Sequence, residues 1–263
     1  MAQNINLSRP NPNFGSLTQT TSRGETWYRA LFLELKRRAA GRYQYSIAYT
    51  LAKAENLGGG ANGAGAGSET PFGGASVQNQ FDLDGNRGIA STDQRHRLVA
   101  NGIVNLPAGF RFSGIVSAES GRPYSEGVSV PNLPFTLNGA EYNGFGGLLG
   151  QGGGGDRNIA PNTTRNSTYG DANYRLDLRI ARDFRFDRVV VELIAEGFNV
   201  VNRSNYNGFQ STRYDATATT VTTPLSAPVV LTERTDFGRP NNDGSQPDGT
   251  NARRFQFAAR LRF

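Results

Sequence analysis

Asp177, Glu192, Glu196, Arg175 and Arg179 are the residues whose types and spacing most invite chemistry. Paired carboxylates can divide acid and base work between them. The arginines interleaved here favour a different outcome, an ion network. His96 is the only histidine, so neither a His–His metal pair nor a triad with a second histidine can be built. Flanked by Arg95 and Arg97, it fits an interfacial structural role where a strand leaves a loop. The run Asp82-Leu83-Asp84-Gly85-Asn86-Arg87-Gly88 suggests a calcium loop, but glycine falls at its fourth place and Arg87 at its sixth, where the loop needs glycine. An Asx turn explains it better. Gly58–Gly60 and Gly152–Gly155 lack the lysine and the strand-to-helix setting of a phosphate loop, and suit flexible loop segments. No cofactor is expected, no catalytic or metal residues are assigned, and enzymatic activity is not expected.

The elements that would position these residues follow from composition and periodicity. Hydrophobic residues make up 37% of the 263, and mean hydropathy is −0.51. No run approaches the ~20 apolar residues of a membrane-spanning helix. A barrel strand needs only about 10, every second one free to be polar. Cysteine is absent, so there is no disulfide framework and no thiolate metal site. The formal charge of +6 raises the question of nucleic acid. The arginines are scattered rather than gathered in a patch, and no nucleic-acid-binding motif accompanies them, so no nucleic acid is expected.

Seven segments alternate with period two: Trp27–Arg37, Tyr43–Lys53, Arg95–Leu106, Phe110–Ser120, Tyr174–Phe184, Val189–Asn199 and the last, Phe255–Phe263. In each, aliphatic and aromatic residues fill one face, as in a half-buried strand. Leu31, Leu33 and Leu35 oppose Glu34 and Lys36; Leu176, Leu178 and Ile180 oppose Arg175, Asp177 and Arg179. Short connections are expected at Ala39-Ala40-Gly41, Pro107-Ala108-Gly109 and Phe186-Asp187. They would pair Arg38 with Arg42, with Lys36 opposite Gln44; Leu106 with Phe110; and Arg185 with Arg188, setting Asp177 across from Glu196. Between these hairpins, and between the third of them and the last strand, lie connections at about 54–94, 121–173 and 200–251, each roughly 40–50 residues and far beyond ordinary loop lengths.

Short turns at one end and long loops at the other is the asymmetry of an outer-membrane barrel, with extracellular loops and periplasmic turns. The apolar face then meets lipid and the polar face lines the lumen. Trp27, Tyr43, Tyr45, Phe110, Tyr174 and Phe263 near strand ends fit interfacial girdles. Arg182 breaks the pattern by falling on the lipid side, where it could snorkel to the interface. The expected fold is therefore all-β: an antiparallel transmembrane β-barrel segment of about seven strands. Residues 1–263 form one barrel region with no plug domain, and the ion-network residues line the lumen. A soluble secreted β-protein is the non-membrane alternative, and a passive porin or adhesin barrel the membrane one.

The final strand carries Phe255, Phe257, Leu261 and a terminal Phe263 on one face. This resembles the C-terminal signal read by the barrel-assembly machinery. Further stretches are Arg9–Ser16 (RPNPNFGS), Trp27–Leu31 (WYRAL), Tyr45–Lys53 (YSIAYTLAK), Asp93–Leu98 (DQRHRL), Ser120–Tyr124 (SGRPY) and Glu196–Asn202 (EGFNVVN). In this order they resemble the C-terminal barrel of TonB-dependent receptors, especially the Oar-like group with a carboxypeptidase-regulatory-like domain. The resemblance implies the last seven of about 22 strands, substrate-facing loops, and residence in outer-membrane lipid. It also implies coupling to the TonB system through N-terminal parts. Met1-Ala2-Gln3-Asn4 shows no basic and apolar leader, so on this reading those parts lie upstream.

Overall fold

The computed structural model describes residues 24–57, 84–129, 135–137, 140–142, 160–217, 230–243 and 251–263. The stretches Arg9–Ser16, Gly58–Gly60 and Gly152–Gly155, with Asp82 and Leu83, lie outside the described residues.

The alternating segments are strands: β1 (Thr26–Ala40), β2 (Tyr43–Asn56), β3 (His96–Asn105), β4 (Phe110–Glu119), β5 (Asn173–Phe186), β6 (Val189–Phe198) and β7 (Arg254–Arg262). They pair in chain order as one antiparallel meander, with Gly88–Ile89 added beside β2. Because side chains alternate between faces, register decides which residues share a surface. One row runs Tyr43, Val104, Phe112, Ile180, Ala195, Phe257 across six strands, all on the outward face. One residue along each strand, the row Gln44, Ile103, Ser113, Arg179, Glu196, Gln256 faces inward. The outward residues stay uncovered by protein: Leu33 is 55% exposed, Leu193 48% and Phe257 80%. Lipid is the solvent such a surface requires. The inner face is not uniformly polar, since Tyr28, Phe32 and Ile115 also stand exposed on it.

Two of the three hairpins close differently from the sequence expectation. The Pro107–Gly109 turn keeps its register, with Asn105 opposite Arg111 and the Leu106 N–H donating to Phe110 O at 2.8 Å. Ala108 and Gly109 both take positive φ there, and a Cβ on Gly109 would meet Asp183 O at 3.1 Å. At the first hairpin Ala40 pairs with Tyr43 through a turn at Gly41-Arg42, and a bulge lies between Arg37 and Ala40. Lys36 therefore faces Ser46, not Gln44. At the third hairpin the turn is Asp187-Arg188, with Asp187 at φ 47°. Phe186 pairs with Val189, and Arg179 rather than Asp177 faces Glu196. Both corrections share a cause. The expected closures set Arg38 against Arg42 and Arg185 against Arg188, and directly opposed like charges destabilise a strand pair. Each shift is by two residues, so the faces are preserved.

Among the described residues β1 and β7 do not pair with each other, which leaves a sheet edge on each side. Unpaired backbone groups are not tolerated in lipid, so further strands must complete the wall in the membrane. Leu178 lies midway between Tyr174 and Arg182 on the outward face of β5. In the membrane-inserted protein, Leu178→Arg should lower unfolding free energy by about 2–4 kcal/mol, the cost of a lipid-facing arginine near the midplane. The inward Asn101→Ser should change it by less than about 0.5 kcal/mol. Chemical denaturation from liposomes measures both, and equal effects would overturn the assignment of faces.

Candidate functional site

The inner wall gathers its charge around one carboxylate. Glu192 on β6 is 1% exposed. Its Oε1 lies 3.3 Å from Arg111 Nη1 and 3.7 Å from Arg179 Nη2, and its Oε2 lies 3.6 Å from Arg260 Nη1. Across from it, Asp183 meets Arg262 at 3.0 Å and Arg111 at 3.6 Å. The opposition of Asp183 and Glu192 is thus neutralised by arginines from three strands, β4, β5 and β7. Arg179 also reaches Glu196 at 3.6 Å. Of the expected residues, Arg179, Glu192 and Glu196 come together. Arg175 and Asp177 form a separate pair at 2.9 Å, and Asp177 also accepts from the Asn199 N–H at 2.8 Å.

Sequence reasoning missed Arg111, Asp183, Arg260 and Arg262, although all have polar-face parity. The signal was present, but only the correct third hairpin aligns Asp183, Glu192 and Arg260 in one row. Towards the loop end, Gln44, Asn101, Ser113, Asp177, Arg179 and Glu196 border a concave space of about 400 Å³ that also touches Ile103, Ile115 and Phe198. Around Glu192 the carboxylate oxygens are engaged by guanidinium donors, an arrangement that ties strands together instead of offering a base to a substrate.

Above the wall the described parts of the long connections form a stitched layer, and the stretches DQRHRL, SGRPY and EGFNVVN supply several of its stitches. Asp93, 1% exposed, accepts from Ala54 N–H at 2.6 Å and Tyr169 O–H at 3.2 Å. Gln94 donates to Glu119 at 2.8 Å, and Arg97 pairs with Glu119 at 3.2 Å. A Cβ on Gly121 would lie 1.9 Å from Gly170 O, so SGRPY needs glycine there. Asn199, with φ 48°, donates from Nδ2 to Asn251 O at 2.6 Å, so EGFNVVN closes the base of the third connection. Arg165 joins the second connection to the first, donating to Asn56 O at 2.6 Å and to Asn56 Oδ1.

The second and third connections are joined by backbone as well. Thr212–Thr217 pairs antiparallel with Val230–Glu233 and parallel with Gly127–Ser129. Beside this strand Arg213 donates to Glu126 at 2.7 Å and to Glu233 at 3.0 Å, while Thr168 O–H donates to Glu126 at 2.5 Å. Tyr124 stacks on Phe209, with ring centroids 5.7 Å apart. Burial pushes the Glu126 carboxyl up, but its bonds from Thr168 and Arg213 outweigh this and hold it below its ordinary 4.5.

The other singled-out residues play local roles. The His96 Nδ1 lies 2.8 Å from Tyr49 O–H on the outward face. Asp84–Asn86 is one 3₁₀ turn, and the following Arg87 reaches Glu55 at 3.3 Å and lies over the Trp27 ring. Among the described residues no group of three His, Cys, Asp or Glu could hold a metal ion. No helix among them is long and apolar enough to cross a membrane, a fact that says nothing of strands. Phe255, Phe257, Leu261 and Phe263 share the outward face of the last strand, from 57% to 95% exposed.

An apolar outward face, an inward ion network, tight turns at one end and a loop layer at the other define the wall of a transmembrane β-barrel. The family model for the outer membrane beta barrel domain matches residues 1–256, and the chain belongs to that family of the outer membrane. No curated protein and no solved structure matches it.

Two outcomes test this site. Glu192→Gln should destabilise the inserted protein by about 1.5–3 kcal/mol, the scale of hydrogen bonds to charged groups. Glu196→Gln, on a more exposed pair, should cost less than about 1 kcal/mol. Denaturant midpoints rank the two, and the reverse order would remove Glu192 from the centre of the network.

The Glu126 tie has a defined pH sign. A carboxyl depressed on folding contributes stability that is fully present above its unfolded value, near 4.5, and is lost as pH falls through its lower folded value. Hydrogen exchange at Thr212–Thr217 should therefore stay slow at neutral pH and accelerate as pH drops below 4.5, once corrected for intrinsic exchange rates. In Glu126→Gln that acid step should disappear.

Proposed function

We propose that this chain is the C-terminal barrel region of a TonB-dependent outer-membrane receptor or transporter of the Oar-like group. The observation that carries this reading is the ordered series of stretches from WYRAL to EGFNVVN. The stretches DQRHRL, SGRPY and EGFNVVN provide joints between wall and loop layer, so their residue types have structural work in such a barrel. On this reading the loop layer faces outward as the substrate-gathering surface, and the short turns face the periplasm. The inner wall around Glu192 would pack against a plug supplied by N-terminal parts, through which TonB acts. The last strand, with Phe255, Phe257, Leu261 and Phe263, is the segment presented to the assembly machinery. The chain itself carries out no catalysis and takes no cofactor.

A barrel wall alone cannot drive uptake against a gradient across the outer membrane, so transport by this protein needs an energised plug. The full-length receptor should therefore bind the purified periplasmic domain of TonB and show no steady channel current in planar bilayers. Failure to bind together with constant conductance would replace the receptor by a passive porin.

A further inference from the structure

At even positions of β5 the outward face reads Tyr174, Leu176, Leu178, Ile180, Arg182, Phe184, Phe186. Arg182 is the one charge in this row. It lies abreast of Phe110 on one side and Leu193 on the other. Phe110 is the first residue after the Pro107–Gly109 turn, so Arg182 sits at the turn-end border of the apolar band. Its guanidinium carbon is 4.7 Å from the Phe110 ring centroid and 4.6 Å from that of Phe184.

Among the described residues no carboxylate pairs with Arg182, and its Nε is buried without a hydrogen-bond partner. The adjacent acid, Asp183, points to the opposite face and is bound by Arg111 and Arg262. Two aromatic rings offset part of the charge but give its N–H donors no oxygen. At that depth, on a face that meets lipid, the anionic oxygens within reach belong to headgroup phosphodiesters, whose geometry fits the guanidinium fork.

We propose that Arg182, clamped between Phe110 and Phe184, anchors a specific glycerophospholipid site, its guanidinium on the phosphate and the acyl chains along Ile180, Leu178 and Leu193. Ile180 and Leu193 are 42% and 48% exposed on that side, which leaves apolar surface for the chains. The site rests on the membrane barrel and not on the receptor reading, so it would exist equally in a porin.

Native mass spectrometry of the full-length protein, released from detergent with added phosphatidylglycerol, tests it. Wild type should retain one more phospholipid than Arg182→Gln, whose apparent affinity should fall about tenfold, the loss of a charge-assisted fork. Arg182→Lys keeps the charge without the fork and should fall between them. Arg185→Gln, three residues along on the inward face, should match wild type. Only molecules that keep the heat-modifiable mobility of a folded barrel are compared. Equal retention by wild type and Arg182→Gln would overturn the site. So would equal binding of headgroup-free diacylglycerol, which would mark a plain apolar groove. Displacement of the lipid by inorganic phosphate at matched concentration would also overturn it, marking a site for a free anion.

Discussion

Everything in this wall depends on one constraint: a strand that crosses lipid must pair its backbone with its neighbours and send alternate side chains to opposite solvents. Once β1 to β7 are paired in order, each residue is committed by parity to lipid or to the interior. The outward rows from Tyr43 to Phe257 and the inward rows from Gln44 to Gln256 are the same strands read one residue apart. Charge can accumulate inside only because lipid has excluded it from the other face. The concentration of arginines around Glu192 is in that sense a product of the membrane.

The inner wall answers a difficulty created by its own register. Setting Asp183 opposite Glu192 would be unfavourable alone. Arg111 from β4, Arg179 from β5, and Arg260 and Arg262 from β7 convert that repulsion into a tie across four neighbouring strands. The loop layer uses another material. Its joints are buried asparagine, aspartate and arginine side chains bonded to backbone, such as Asp93 to Ala54 N–H and Asn205 to both polar groups of Tyr174. Such bonds fix irregular chain segments that have no ladder of their own.

Most of the wall was legible because alternation is written in side-chain type. The strands β1 to β7, their order and their faces can be read from Leu, Val, Phe and Tyr at every second place. Hairpin closure was legible where the closing pair was apolar, Leu106 with Phe110, and misjudged where two arginines would have met. Parity alone tolerates an error of two residues; charge repulsion does not. Weighing Arg185 against Arg188 would have moved the turn to Asp187-Arg188 and revealed Asp183 opposite Glu192. The loop layer was not legible, because its pairings join residues far apart in sequence through short strands without periodicity. Gly121 and Asn199 were visible as family-like marks, but the contacts that require them belong to Gly170 and Asn251.

The parallel pairing of Thr212–Thr217 with Gly127–Ser129 bears on the order in which the molecule can be assembled. Each hairpin of the wall closes over two or three residues, whereas this pairing closes a loop that contains all of β5 and β6. The entropy of closing it is reduced only after those two strands have been fixed side by side. This pairing is therefore a late one, favoured once the β5–β6 hairpin is in place. Until β5 and β6 stand side by side, Gly127–Ser129 and Thr212–Thr217 are ends of a long open loop, and the surface they share has no partner to form on.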